Sequence, residues 1–245
     1  MENNLGLVGK KLSHSFSKKY FEQKFKEEGL NGYKFSLYEM EELSRLKSLI
    51  KLELLKGLSI TIPYKVEVMQ FCDFLSEDAK SIGAVNCINI DKDGGLIGHN
   101  TDCVGFKNSL QINNLNLEKK ALVCGTGGAS RAIVYALKSL GIDIIQASTS
   151  GRIGLLGYED IDSDIINSVQ LIINCTHLGT FPLVDDCIKL PYEFINESHY
   201  CYDLVYNPEE SLFLKKSKQQ GAFTQNGYSM LVYQAEAAWE IWSQG

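Results

Sequence analysis

This chain is poor in the features that mark a metalloprotein, a disulfide scaffold, a nucleic-acid binder or a membrane protein. Only four histidines occur in its 245 residues, at 14, 99, 177 and 199, too far apart in sequence to suggest a ligand cluster, so no metal is expected. The seven cysteines (72, 87, 103, 124, 175, 187 and 201) are odd in number and include no Cys-x-x-Cys pair. That pattern argues for free thiols in a reducing compartment and against a disulfide frame or a zinc site. No Lys/Arg run builds a basic patch and the formal charge is −6, which argues against nucleic acid as a partner. Met1 to Lys10 holds no apolar run long enough for a signal peptide and nothing later could span a bilayer; the expectation is a cytoplasmic protein. No internal repeat or low-complexity linker interrupts the chain. What is present is a composition 44% hydrophobic, that of a soluble globular protein of one or two domains.

The stretch that organises the rest is Ala121-Leu122-Val123-Cys124-Gly125-Thr126-Gly127-Gly128-Ala129-Ser130-Arg131. Its apolar opening reads as a short buried strand. A glycine turn follows, then a helix with Ile133, Val134, Leu137 and Leu140 on its inner side. Gly141 stands where a glycine closes a helix, and Ile142 to Ala147 reads as the next strand. Together they form a βαβ unit whose first turn brings backbone N–H groups and a helix N-terminus up to a pyrophosphate. Tight turns use glycine for structural reasons alone; the βαβ context favours a dinucleotide.

Upstream, Leu5 to Gly9 reads as a strand, Lys18 to Glu28 as a helix with Tyr20, Phe21 and Phe25 in its apolar stripe, and Tyr33 to Leu37 as a strand. Glu41 to Leu55 reads as a leucine-faced helix and Gly57 to Ile62 as a strand stopped by Pro63. Proline suits the start of a helix, here Tyr64 to Leu75. Ala84 to Ile90 and Gly95 to Ile97 pair as strands across Asp93-Gly94. These hundred residues make a small α/β domain with its own sheet. Asn100-Thr101-Asp102 offers an N-cap cluster for a helix over Val104 to Gln111. Beyond the βαβ unit come strands at Leu171 to Thr176 and Tyr200 to Val205, a helix over Glu209 to Gln219, a last strand at Ala222-Phe223 and an apolar helix over Ser229 to Trp242. The alternation from residue 121 onward is that of a parallel, helix-covered sheet, in which ligands bind at the carboxyl ends of strands.

Polar residues at strand ends are therefore candidates: Thr61, Asn86, Thr176 and Asp203. Each taken singly also reads as turn chemistry. Ser13 and Ser15 lie just past a strand, where both hydroxyls could donate to one anion; alternatively Ser15 or Ser17 caps the next helix. Lys65 falls in the first turn of the expected helix, where the dipole disfavours an ammonium, and Asp102 in another, where a carboxylate is favoured. A lysine biased toward losing its proton and a carboxylate biased toward keeping its charge suit proton transfer at a substrate oxygen. A snorkelling lysine and an N-terminal aspartate are the separate structural readings.

Several ordered motifs carry a family resemblance. Ser13-His14-Ser15, Ser59-Ile60-Thr61-Ile62-Pro63-Tyr64-Lys65, Gly83-Ala84-Val85-Asn86 and Gly98-His99-Asn100-Thr101-Asp102-Cys103-Val104-Gly105 resemble successive motifs of the shikimate dehydrogenases. So do Gly125 to Arg131, Asn174-Cys175-Thr176, Tyr202 to Pro208 and Asn226 to Ala235, in the family's order and from one end of the chain to the other. The resemblance implies a two-domain α/β enzyme with a cleft between the domains: residues 1–101 with 227–245 as an N-terminal α/β substrate-binding domain, and 102–226 as a Rossmann-like NADP-binding domain. The reaction implied is reduction of 3-dehydroshikimate to shikimate by hydride transfer from NADPH, in aromatic amino-acid biosynthesis. Residue by residue, it places Ser13 and Ser15 on the substrate carboxylate, Thr61, Asn86 and Gln234 on the ring hydroxyls, Tyr206 at the substrate, and Lys65 with Asp102 as the catalytic pair. For the cofactor it implies Gly125, Gly127, Gly128, Ala129, Ser148, Thr149, Arg152, Thr176 and Gly227. The partners implied are small molecules, with no nucleic acid and no membrane, and the chain acts as a monomer or a homodimer.

Four positions depart from the family pattern: Ser59 stands for the usual asparagine, His177 for proline and Thr180 for methionine. At the end of the second cofactor-domain strand, Ala147-Ser148-Thr149 stands where Asn-Arg-Thr usually grips the 2′-phosphate. No Asp or Glu there accepts a ribose hydroxyl, as NAD sites usually have, so NADP is expected with Arg152 as substitute phosphate partner and NAD is not excluded. The alternatives are a quinate/shikimate dehydrogenase using NAD, a folate-linked dehydrogenase of related architecture, and a non-catalytic shikimate- or dinucleotide-binding homologue.

Overall fold

The computed structural model describes residues 3–12, 15–110, 120–149 and 154–244. They divide into two compact units, residues 1–101 with 235–245 and residues 102–234.

The first unit opens with strand β1 (Asn3–Gly9), whose Leu5 and Leu7 face one side of the sheet and Val8 the other, the period-two alternation of a strand buried on both faces. Helix α1 (Phe16–Glu27) buries Phe21 and Phe25, and strand β2 (Tyr33–Glu39) pairs parallel with β1. A 3-10 turn (Leu43–Arg45) and helix α2 (Leu46–Leu52) follow. The helix expected over 41–55 is thus broken at its start and ends early, because Leu54 adopts φ of 51° and Leu55 already belongs to strand β3 (Leu55–Ile60). After β3 the structure departs from expectation again. Residues 62–66 form turns, and the helical part of the region read as Tyr64 to Leu75 is a 3-10 helix (Glu67–Phe71). The buried Tyr64 pins the turn, its N–H donating to the Thr61 carbonyl (2.9 Å) and its hydroxyl to the Met40 carbonyl (2.5 Å). Strand β4 (Phe74–Leu75) and helix α3 (Glu77–Ile82) come next, the latter capped by the Ser76 hydroxyl. Strands β5 (Cys87–Ile90) and β6 (Leu96–His99) form an antiparallel hairpin.

The sheet order is β2-β1-β3-β5-β6-β4, parallel among the first three strands and mixed beyond. Its faces carry separate cores. One gathers Val8, Leu43, Leu46, Leu58 and Ile60; the other gathers Leu5, Leu7, Phe21, Phe35 and Trp242. Trp242 comes from the end of the last helix, α8 (Tyr228–Ser243). It lies 5.5 Å from the Phe21 ring, and its indole N–H donates to the Ile88 carbonyl at 3.0 Å. Gly57 on β3 makes room for it, since a Cβ there would stand 2.3 Å from the indole.

The second unit starts with α4 (Asp102–Ser109), then β7 (Lys120–Cys124), α5 (Gly128–Ser139), β8 (Ile144–Ser148) and a two-residue β9 (Leu156–Gly157). The chain then returns through α6 (Ser163–Ser168) to β10 (Val169–Asn174), β11 (Tyr200–Asp203), α7 (Leu212–Gln219) and β12 (Phe223–Gln225). The order β12-β11-β10-β7-β8-β9 is parallel throughout. Such strands are buried on both faces, and β7 and β10 accordingly read Ala-Leu-Val-Cys and Leu-Ile-Ile-Asn. The mixed α/β architecture with a Rossmann-like sheet expected from the sequence is present. Helices α3 and α6 and strands β4 and β9, all short, are additions to it.

Candidate active site

Strand order decides where each unit can hold a ligand. In the second unit the chain leaves β7 toward β8 and then returns to build β10 on the other side of β7. In parallel sheets such a reversal is where ligands bind, here at the carboxyl ends of β7 and β10. Gly125 takes φ of +114° immediately after β7, a conformation closed to residues with a side chain, and a Cβ there would press 3.3 Å from the Cys175 carbonyl carbon and the Thr176 methyl. Its carbonyl accepts from the Ser130 hydroxyl (2.7 Å) and from the Gln146 amide (2.9 Å), which fixes the turn from behind. Gln146 was not among the residues singled out from sequence; a polar side chain inside an apolar strand was the available signal.

Helix α5 then begins at Gly128, with Gly127 in the N-cap position, no side-chain cap and no acidic residue in its first turn. A Cβ on Gly127 would meet nothing within 4 Å among the described residues. An uncapped helix start facing open space behind a rigid glycine turn fits the pyrophosphate of a dinucleotide. Gly125, Gly127, Gly128 and Ala129 thus lie together. On the β8 side, Ser148 is buried at the strand end and Thr149 is exposed. Arg152 lies outside the described residues. On the β10 side, Thr176 donates its N–H (3.0 Å) and its hydroxyl (2.7 Å) to the Asn174 side-chain oxygen. Asn174 in turn donates to Asp203 at 2.9 Å. Tyr206, half-buried with burial raising its phenol pKa, follows the end of β11. Gly227 donates to the Val205 carbonyl (3.1 Å), and a Cβ on it would overlap the Leu204 carbonyl oxygen at 2.2 Å, so the glycine serves close backbone packing.

The first unit has the same reversal, with β2 and β3 on opposite sides of β1. At its carboxyl ends Ser15 occupies the N-cap position of α1 without capping it, and its buried hydroxyl has no hydrogen-bond partner among the described residues. The capping alternative for Ser15 therefore does not hold. Ser13 lies outside the described residues. Thr61 leaves the end of β3 with its N–H on the Val8 carbonyl (2.9 Å). Lys65, half-buried, sits in the turn before the 3-10 helix and not in a helical first turn, so the expected dipole effect on it is withdrawn; its carbonyl accepts from Val85 N–H at 2.7 Å. Asn86 is buried, with its side-chain oxygen accepting from Thr101 N–H (2.7 Å) and its amide donating to the Thr101 hydroxyl (3.0 Å). Asn100, buried beside it, donates to the Ala84 carbonyl (2.9 Å). These two amides hold residues 100–101 against 84–86.

Asp102 is the first residue of α4 and is buried, in the position where the helix dipole favours a carboxylate. Gln234, half-buried on α8, donates to the Leu231 carbonyl of its own helix at 2.9 Å. A Cβ on Gly105 would stand 2.8 Å from the Gln234 Cβ, so α4 and α8 cross closely at that residue. Among the described residues no group of three His, Cys, Asp or Glu could hold a metal ion, and no helix is long and apolar enough to cross a membrane.

The chain has known relatives. Residues 7–88 match the shikimate dehydrogenase substrate binding domain. A shikimate dehydrogenase (NADP+) of Clostridium beijerinckii is 40% identical over 251 residues, covering 98% of this chain and 91% of its own. The chain belongs to the shikimate dehydrogenase family. Family membership makes it an oxidoreductase. A crystal structure of a shikimate dehydrogenase in complex with NADP+ superposes with a TM-score of 0.88 at 32% identity, covering all of this chain and 91% of that one. A quinate dehydrogenase from Corynebacterium glutamicum in complex with NAD gives 0.86 at 27%, over all of this chain and 94% of that one.

Proposed function

We propose that the chain catalyses NADP-dependent reduction of 3-dehydroshikimate to shikimate, as a step of aromatic amino-acid biosynthesis, with residues 1–101 and 227–245 binding the substrate and 102–226 the cofactor. The observation that carries this reading is that one chain combines an open glycine cradle at the start of α5 with a second strand-end cluster holding an unspent buried hydroxyl at Ser15. The first suits a dinucleotide and the second a small anion rich in oxygen.

The bound cofactor supplies the hydride that adds to the carbonyl carbon. Everything else falls to the chain. Ser13 and Ser15 hold the substrate carboxylate, Thr61, Asn86 and Gln234 take the ring hydroxyls, and Tyr206 closes on the same ring. Lys65 and Asp102 share the proton that the reacting oxygen gains as the carbonyl becomes an alcohol. Gly125, Gly127, Gly128 and Ala129 present backbone to the pyrophosphate. Ser148, Thr149 and Arg152 take the 2′-phosphate, Arg152 by charge-assisted bonds. Thr176 and Gly227 stand at the nicotinamide half.

Initial rates with shikimate and with quinate, each with NADP+ and with NAD+, test the proposal. Fastest turnover of shikimate with NADP+ is expected. A preference for quinate with NAD+ would replace it with the quinate/shikimate reading, and binding without turnover by a non-catalytic homologue.

A further inference from the structure

We propose that Asp203 is a positioning residue for the cofactor: its carboxylate holds Asn174 and, through Asn174, sets the Thr176 backbone and hydroxyl where the nicotinamide half of the dinucleotide meets them. The proposal rests on the reading of this unit as the dinucleotide site. Asp203 and Asn174 are fully buried and face each other in register at the last residues of the neighbouring strands β11 and β10. One carboxylate oxygen accepts from the Asn174 amide (2.9 Å) and from Val205 N–H (2.9 Å); the other accepts from the Ser211 hydroxyl, which also caps α7 through Leu214 N–H at 3.3 Å. The Asn174 oxygen, pointed by that bond, takes both donors of Thr176, and the Thr176 hydroxyl accepts from Leu178 N–H at 3.2 Å. On the β11 side Asp203 folds the chain back at Val205, whose carbonyl receives Gly227 N–H. The Thr176 turn and the bend at Val205, which receives Gly227, therefore both lean on this side chain.

A purely structural tie did not require a charge. An ionised carboxylate costs several kcal/mol to bury, and its three donors here are all neutral. What a carboxylate adds is acceptance from three directions at once, so that neither Asn174 nor Ser211 can turn its amide or hydroxyl the other way. Burial pushes the Asp203 carboxyl up to about 7, against the bonds from Ser211, Val205 and Asn174, which lower it. The titratable groups that sense it are the thiols of Cys124 at the end of β7 and Cys175 just past β10. Burial raises both, so they stay neutral across this range. The relay is at full strength above about pH 7 and weakens below it as the carboxyl takes a proton.

Asp203→Asn, an isostere of the protonated side chain, is compared with the parent enzyme in steady-state kinetics across this pH range. The expected result is a KM for NADP+ raised about tenfold above pH 7, the lower end for losing a hydrogen bond to a charged group, with the KM for shikimate within about twofold. The difference between parent and variant should fade below pH 7; titration of the cofactor phosphate is common to both and cancels. Ser211→Ala keeps the carboxylate and removes a bond that lowers its pKa, so the pH at which the parent's NADP+ KM changes should move upward. That variant decides alone if Asp203→Asn does not fold. Coincident NADP+ KM profiles for parent and Asp203→Asn, or an unmoved midpoint in Ser211→Ala, would overturn the proposal while leaving the dehydrogenase reading intact. A parent that does not use NADP+ would overturn both.

Discussion

The two units solve one problem in two chemistries. Each places its candidate residues where a sheet reverses, at β1/β3 in one and β7/β10 in the other, and each ties the resulting loops with a buried asparagine. In the first unit the tie is made by amides: Asn86 and Asn100 bond backbone and the Thr101 hydroxyl, and nearby His99, whose carbonyl receives Asn86 N–H, has its pKa lowered by burial. In the second, Asn174 leans on the carboxylate of Asp203. Amides hold a loop equally well at any ordinary pH, whereas a buried carboxylate near its own pKa makes the loop answer to protons. Under the proposed function, the tie that answers to protons lies on the cofactor side.

The largest expected effect separates the two units by task. Lys65→Ala should lower kcat by about 10²–10⁴, the usual contribution of a general acid–base group, while NADP+ affinity measured by titration stays put. A near-normal kcat would remove chemistry from the first unit. Next, Trp242→Ala should cost about 3–5 kcal/mol in denaturant unfolding, the range for truncating a buried aromatic, because the indole fills one face of the first sheet. Asn86→Ala should cost about 1–3 kcal/mol by orphaning the Thr101 N–H, with the same loss at pH 5.5 and 8; a pH-dependent loss would break the contrast drawn above.

The matching experiment on Asp203 should give a slope. Because its folded pKa of about 7 lies above its ordinary 3.8, the stability linked to its proton is fully present below about pH 4 and is lost as pH rises through about 7. The parent's stability relative to Asp203→Asn should therefore fall over that window by at most about 1.4 kcal/mol per pH unit and be flat above it. A difference constant from pH 4.5 to 8 would show that the carboxyl is not buried as described. The smallest effect belongs to Ser76→Ala, which removes the α3 cap and should cost about 1 kcal/mol, with kinetics unchanged.

The glycine turn, its helix and the flanking strands were legible because a period-two apolar run, a glycine cluster and a 3.6-residue stripe change over within a dozen residues. The first unit was read less well where backbone conformation decides. Leucine spacing over 41–55 carries no sign that Leu54 turns left-handed, and Pro63 advertises a helix where Tyr64 pins a turn instead. Helix α3 could have been found, since Ser76 precedes Glu77 and Asp78 and Gly83 closes the helix at φ of 69°. The Asn174–Asp203 bond could not. The two residues stand 29 apart in sequence and meet only because β10 and β11 are neighbours in register, which is a property of the sheet order. The same holds for Asn86 and Thr101, 15 apart.

Trp242 packed over Gly57 has a consequence for how the protein is made. A ribosome releases the residues of β1 to β6 long before it reaches Trp242, so the first sheet emerges with one apolar face, around Phe21 and Phe35, still short of its cover. The second unit, residues 102–234, is meanwhile translated in a single uninterrupted stretch. The first unit is thus completed only after the second has been made, and until α8 follows, α1 alone covers the face around Phe35.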